Sequence, residues 1–432
     1  MILFPFIALL AIYFFYQKKN RKCFGIISLL IATYLIMVCL ALVLEFSGIF
    51  SAVTPMSFDS MAYYTICLLI VFWGFSEFKD HRFLALKIEN IYFYMVLEYV
   101  LLIGGLLAIL FFSPVAFSIL TGDIHYNRVS MDLTIISLSK FGIINSIFSL
   151  LSNLFILTQV CFFINLIPRN GRRNITKAYL LLISSFSYVV YVLAYVGRDG
   201  VVFWLMSYAF CFLLFKSFLM KKDVEKIRKA FVFFFAILLV PFLIITIARF
   251  SDRTAGIGWY IIDYGGQQLR NFNDHYNIDP PILWGGFGFP VFTDFIEIVS
   301  GYKLPDLVNY EYSQYFLSLG IKPWVFTTFI GSLMLDFGKI WTIVFLLLMS
   351  FTIRKILKNS CRTGVLDFSN LVMLVLFYQV VYWGVFYFRL CSANYYIIFM
   401  FLIFIFIKLV RTHSKLACFL PKYNIAKGSS TK

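Results

Sequence analysis

The feature that most restricts this chain is a recurring apolar run. Eleven times the sequence holds a nearly uncharged stretch, at about 2–17, 23–44, 61–76, 91–112, 141–167, 178–196, 201–219, 230–248, 336–353, 368–388 and 395–410. Each is near the roughly 20 residues that an α-helix needs to cross the hydrocarbon, with 61–76 short. Lipid offers no water to backbone N–H and C=O groups, so a chain of this pattern must satisfy them inside helices. The expected fold class is an all-α polytopic integral membrane protein. Charged residues are 13% of the 432, about half the ~25% of soluble domains, which excludes a soluble globular fold.

A net charge of +16 would point to nucleic acid in a soluble protein. Its distribution points elsewhere. Basic residues cluster after alternate runs, in "KKNRK" (18–22), "PRNGRRNITK" (168–177), "KKDVEKIRK" (221–229), "RKILKNSCR" (354–362) and the tail from Lys408. Such loops face the cytoplasm. With the 77–89 loop, and with Lys216 and Asp367 beside the last two loops, they place 27 of the 37 Lys and Arg inside, with six of the 21 acidic residues. The basic excess is an orientation signal, giving about eleven spans with the N-terminus out and the C-terminus in, and no nucleic-acid partner. The first 22 residues are apolar first and basic afterwards, the reverse of a secretory signal, and are expected to be a span. The eight cysteines are scattered without a CxxC or Cys/His cluster, so neither a disulfide framework nor a metal site is expected.

One connection breaks the rhythm. Between Arg249 and Gly338 lie almost ninety residues, with "DPPILWGGFGFP" (279–290) and most of the outward acids. Length and aromatic content argue for a folded extracytoplasmic segment of short helices packed on the span ends. The expected division is 1–248 as spans one to eight, 249–335 as the long loop, 336–410 as spans nine to eleven, and 411–432 as a basic tail.

With the cytoplasmic basics set aside, the outward arginines are Arg128, Arg198, Arg249, Arg253, Arg270 and Arg389. Arg198, Arg249, Arg253 and Arg389 stand at span edges on the outer level. A guanidinium is permanently charged and matches phosphate oxygens in a planar fork, so this set suits a lipid-linked phosphate or diphosphate. Proton-handling candidates are Asp199, Asp252, His275 and Asp336, with Lys339 three residues beyond Asp336 as its expected ion-pair partner. "WGGFGF" lacks the lysine and strand context of a phosphate loop, and "DFG" at 336–338 has no accompanying kinase signature. No nucleotide cofactor is expected, so an enzymatic substrate would arrive already activated.

A "GRDG" turn between two spans, an "NFND" stretch in the long loop, and "TFIGSLMLDFG" leading into a late span resemble the oligosaccharide repeat-unit polymerases, the Wzy-like O-antigen polymerases. The Arg-x10-Gly pattern of some members is absent. The resemblance implies a GT-C-like, O-antigen polymerase–ligase-like architecture in the bacterial inner membrane. It implies transfer of a growing glycan from undecaprenyl diphosphate to the next lipid-linked unit, beside a flippase and a chain-length regulator. Arg198, Arg249, Arg253 and Arg389 would hold the diphosphate, Asp199 would orient Arg198, and Asp336 or His275 would be the base. The alternatives are an O-antigen ligase-type transferase and, in another class, a lipid-linked glycan flippase.

Overall fold

The computed structural model describes residues 1–19, 24–49, 54–78, 83, 85–122, 126, 137–168, 173–197, 199–250, 256–301, 310–321, 326–392, 394–410 and 417–419. Among the described residues, eight helical segments are long and apolar enough to cross a membrane, or nine if one bent pair counts as a single span. The protein is thus a multi-pass α-helical membrane protein, and an apolar helix lies at each of the eleven runs.

One compact unit comprises residues 1–78, 253–359 and 376–398. It contains α1 (Leu3–Lys19), α2 (Ile26–Ser47) and α3 (Phe58–Phe75). From the long connection come α11 (Ile257–Ile278), α12 (Pro290–Ser300) and α13 (Tyr310–Ser318), followed by most of α14 (Thr328–Thr363). The long segment is therefore not a separate domain: α11 packs along α2. Gly265 and Gly266 permit that approach, since a Cβ on Gly266 would stand 2.7 Å from the backbone N of Ala41. α2 is apolar on every face, as a helix surrounded by protein and lipid must be. In α14, Gly338 breaks the helix with φ 68° and ψ 179°.

The second unit comprises 79–252, 360–375 and 399–432. Its helices are α4 (Ile91–Thr121), α5 (Gly142–Asn153), α6 (Phe155–Leu166), α7 (Ile175–Ser185), α8 (Ser187–Ala194), α9 (Asp199–Phe215) and α10 (Lys221–Phe250). The expected span at 141–167 is the pair α5–α6, bent by 48°. The basic stretches at 221–229 and 354–362 are helical rather than loops, continuing α10 and α14. Lys, Arg and Glu are good helix formers, so a span can run on past its apolar window. The remaining helices, α15 (Phe368–Tyr382) and α16 (Asn394–Leu409), complete the set.

A small sheet interrupts the all-helical expectation. β1 (Ala85–Ile88) pairs in parallel with β2 (Val365–Asp367) and antiparallel with β3 (Ala417–Phe419). The segments that follow α3, α14 and α16 therefore meet at one place. Glu89, just past β1, accepts from the Ser369 N–H at 2.8 Å and from its hydroxyl at 2.7 Å, and pairs with Lys408 at 3.3 Å.

Inside the second unit an ion pair is buried. Glu98 of α4 pairs with Lys177 of α7, and accepts from the Asn165 amide of α6 and the Tyr94 hydroxyl. The Lys177 ammonium also lies 4.0 Å from the centre of the Tyr99 ring.

Candidate functional site

α11 carries the most polar and aromatic described part of the long segment. Asp263 and Arg270, seven residues apart, lie on one side of it and form an ion pair at 2.5 Å. Arg270 is buried, and the Asp263 side chain is 20% exposed. Burial pushes the Asp263 carboxyl up from the ordinary carboxylate range, and the Arg270 guanidinium partly restores it.

Tyr264, one residue along, opens an aromatic wall. Its ring meets Phe326 edge-on at 5.0 Å and Phe386 at 6.2 Å. Phe326 stacks on Tyr387 at 5.1 Å with the planes 10° apart. The wall is held by backbone pairing, with Thr328 N–H donating to the Phe386 carbonyl at 2.8 Å. The Asn271 side chain donates to the Phe326 carbonyl at 2.9 Å. All four rings are half-buried, as are Gln267, Asn271 and Arg389, which follows Tyr387 by two residues. Flat apolar faces, side-chain amides, a carboxylate and a guanidinium are thus gathered in one unit.

Asp336 and His275, the expected bases, are both fully buried. Asp336 holds the "WGGFGF" loop. Its carboxylate accepts from Phe287 N–H at 2.9 Å and Gly288 N–H at 2.8 Å, and its carbonyl accepts from Trp284 N–H at 2.8 Å. A Cβ on Gly288 would stand 2.5 Å from the carboxylate, so glycine is required there. Lys339 is not its ion-pair partner: the ammonium pairs with Asp279 at 3.1 Å and lies 4.2 Å from the Tyr276 ring centre. The break at Gly338 removes the helical i,i+3 neighbourhood on which that expectation stood.

His275 packs against Phe316 of α13, with ring centres 5.1 Å apart, and neither ring nitrogen has a hydrogen-bond partner among the described residues. Burial lowers its pKa to about 4, so the ring is neutral at physiological pH. A depressed folded-state pKa means the unfolded chain binds the extra proton between about pH 6.5 and 4. Stability should therefore fall as pH drops through that window, by about 3 kcal/mol in total. His275→Phe should flatten the pH dependence of the apparent melting temperature there while keeping the contact with Phe316. An unchanged slope would reject this account.

The "NFND" stretch is a latch. Asn273 accepts from Ser57 N–H at 2.9 Å and Ser60 hydroxyl at 2.6 Å, and donates to Thr54 hydroxyl at 3.0 Å. Asp274 accepts from Thr54 N–H at 2.8 Å and its hydroxyl at 2.7 Å. These bonds hold the turn that starts α3.

Of the expected diphosphate arginines, Arg198 and Arg253 lie outside the described residues, as do Asp252 and Arg128. Arg249 lies near the end of α10, with its side chain outside the description. Arg389 opens a short 3-10 turn, Arg389–Ser392. Asp199 is the first residue of α9. The "GRDG" glycines are dictated by packing: a Cβ on Gly197 would meet Val192 at 2.5 Å, and one on Gly200 would meet it at 2.7 Å. Among the described residues no group of three His, Cys, Asp or Glu could hold a metal ion.

Sequence reasoning counted Arg270 among the outward arginines but missed its partner Asp263 and the aromatic wall. The seven-residue spacing of Asp263 and Arg270 was the available signal, two turns apart on one helix face. No protein-family model matches the chain, and neither a curated protein nor a solved structure matches it.

Proposed function

We propose that this protein polymerises lipid-diphosphate-linked oligosaccharide repeat units at the outer face of a bacterial inner membrane. The observation that carries this reading is the half-buried wall of Tyr264, Phe326, Phe386 and Tyr387 beside Arg389, with Asp263 on the neighbouring face of α11. Aromatic faces stack on sugar rings, amides bond their hydroxyls, and a guanidinium offers a fork to phosphate. The basic loops support a cytoplasmic C-terminus, an outer N-terminus and an outer position for the long segment.

Asp263 is a better base in this reading than Asp336 or His275, because its side chain is partly exposed and burial destabilises its anion. The acceptor hydroxyl gives its proton to Asp263 as its oxygen bonds to the anomeric carbon of the donor. The bond from that carbon to the carrier diphosphate breaks, and the diphosphate leaves with the electron pair. Arg389 stabilises the charge growing on it. Partners are then undecaprenyl-diphosphate-linked glycans, membrane lipids, and the flippase and chain-length regulator of the pathway. A ligase-type transferase shares the donor and differs in its acceptor.

The test is elongation of lipid-linked repeat units by the purified protein in liposomes. Arg389→Ala should lower the rate about 100-fold, the usual effect of removing one donor to a developing anion. Asp263→Asn should lower it by a similar factor or more. Full activity in both variants would reject this site. The buried Glu98–Lys177 pair favours a second reading as a flippase, since intramembrane charge often marks a transport path. Unmodified units crossing the bilayer without elongation would support that reading instead.

A further inference from the structure

In α12, Phe292, Phe295, Ile296 and Val299 fall at the i, i+3, i+4 and i+7 positions of one face. A stripe of that spacing ordinarily faces a protein core. Here these four and Ile298 are between 42% and 82% exposed. Five large apolar side chains on an eleven-residue helix are not left to water in a stable protein.

The root of α12 shows what covers them. Phe289, immediately before the helix, packs on Phe337 at 5.8 Å and on Phe345 at 6.3 Å. Phe345 lies seven residues beyond the Gly338 break, about 10 Å along α14 at 1.5 Å per residue. The helix therefore starts beside the apolar run of a candidate span. Asp336 pins the preceding loop there through Phe287 and Gly288. Trp284 in that loop is exposed, and tryptophan favours the membrane–water boundary. Residues 290–300 hold Asp294 and Glu297 but no Lys or Arg, so attraction to anionic headgroups is not what would seat the helix.

We propose that α12 is an interfacial helix. Its Phe292–Phe295–Ile296–Val299 stripe lies in the headgroup–acyl boundary of a zwitterionic phospholipid bilayer, with Ile298 at its edge and Trp284 at headgroup level. This holds whether or not the protein joins glycans.

The test places a nitroxide at residue 294, 295 or 299 of the full chain, with the eight native cysteines replaced, in phosphatidylcholine–phosphatidylethanolamine vesicles. Labels at 295 and 299 should be more accessible to oxygen than to a water-soluble nickel chelate, and the label at 294 should show the reverse. Adding phosphatidylglycerol should leave these depths unchanged. Nickel access at all three positions would overturn the proposal in favour of a water-exposed face. Exclusion of both reagents at 295 and 299 would overturn it in favour of a protein cover, such as a second copy. If the cysteine-replaced chain does not fold, Phe295→Trp in the native background serves. Its added fluorescence should be quenched by brominated phosphatidylcholine, and lack of quenching would likewise reject the proposal.

Discussion

Lys177→Met is expected to destabilise the protein by about 3 kcal/mol, and Glu98→Gln in the same chain is expected to recover most of that loss. Removing one member of a buried pair leaves an uncompensated charge, which costs about 3–5 kcal/mol. The Glu98 side chain is 4% exposed, whereas that of Lys177 is 13% exposed, so loss of the lysine strands the worse-solvated group. Asn165 and Tyr94 would still donate to the carboxylate, which places the expectation at the low end. In the double variant a neutral amide replaces the carboxylate and an apolar chain replaces the lysine, so no charge remains to desolvate. The measurement is the apparent unfolding temperature of both single variants and the double in one detergent. Additive losses would show that the two residues do not act as a pair. A flippase that needs this pair should lose transport in the double variant although its stability returns; a polymerase should retain elongation.

Asp336→Ala should cost a comparable amount, about 3 kcal/mol, because two backbone N–H groups lose a charged acceptor in a buried setting. The loss is local: the Phe287 and Gly288 amides should exchange much faster with deuterium, while the latch between Asn273 and Thr54 stays protected. Asp336→Asn keeps one carbonyl acceptor and turns an N–H toward the other donor, so roughly half the loss is expected. These outcomes separate a structural carboxylate from a catalytic base. A base replaced by asparagine would leave amide exchange untouched and change only the rate, whereas the loop anchor described here changes both.

The positions of the helices were legible because lipid imposes a simple rule. An apolar run near 20 residues must be helical, and the runs at 23–44, 91–112 and 368–388 coincide with α2, α4 and α15. Element ends were less legible, since basic residues at 221–229 and 354–362 prolong a helix as readily as they form a loop. The small sheet was hidden for another reason. Its three- and four-residue strands come from segments separated along the chain, and no local periodicity marks so short a strand.

The candidate site was legible as a region and not as residues. Asp336 and His275 stood out as isolated ionisable groups, yet isolation in sequence says nothing about which backbone amides or rings lie opposite. "NFND" stood out as a polar island, and its partners Thr54 and Ser57 lie more than two hundred residues away. The aromatic wall joins residues 264, 326 and 386–387, none of which is unusual in a chain with 53 phenylalanines.

By itself the sequence determined the solvent, the positions of the apolar helices and the segment that breaks their rhythm, because these follow from each residue's own transfer free energy and from backbone hydrogen bonding. Tertiary structure alone decided what each polar residue does. It made Asp336 a loop anchor, Asn273 and Asp274 a latch, and left Asp263 and Arg389 partly reachable. Those roles depend on partners and burial, which are properties of a neighbourhood assembled from distant parts of the chain.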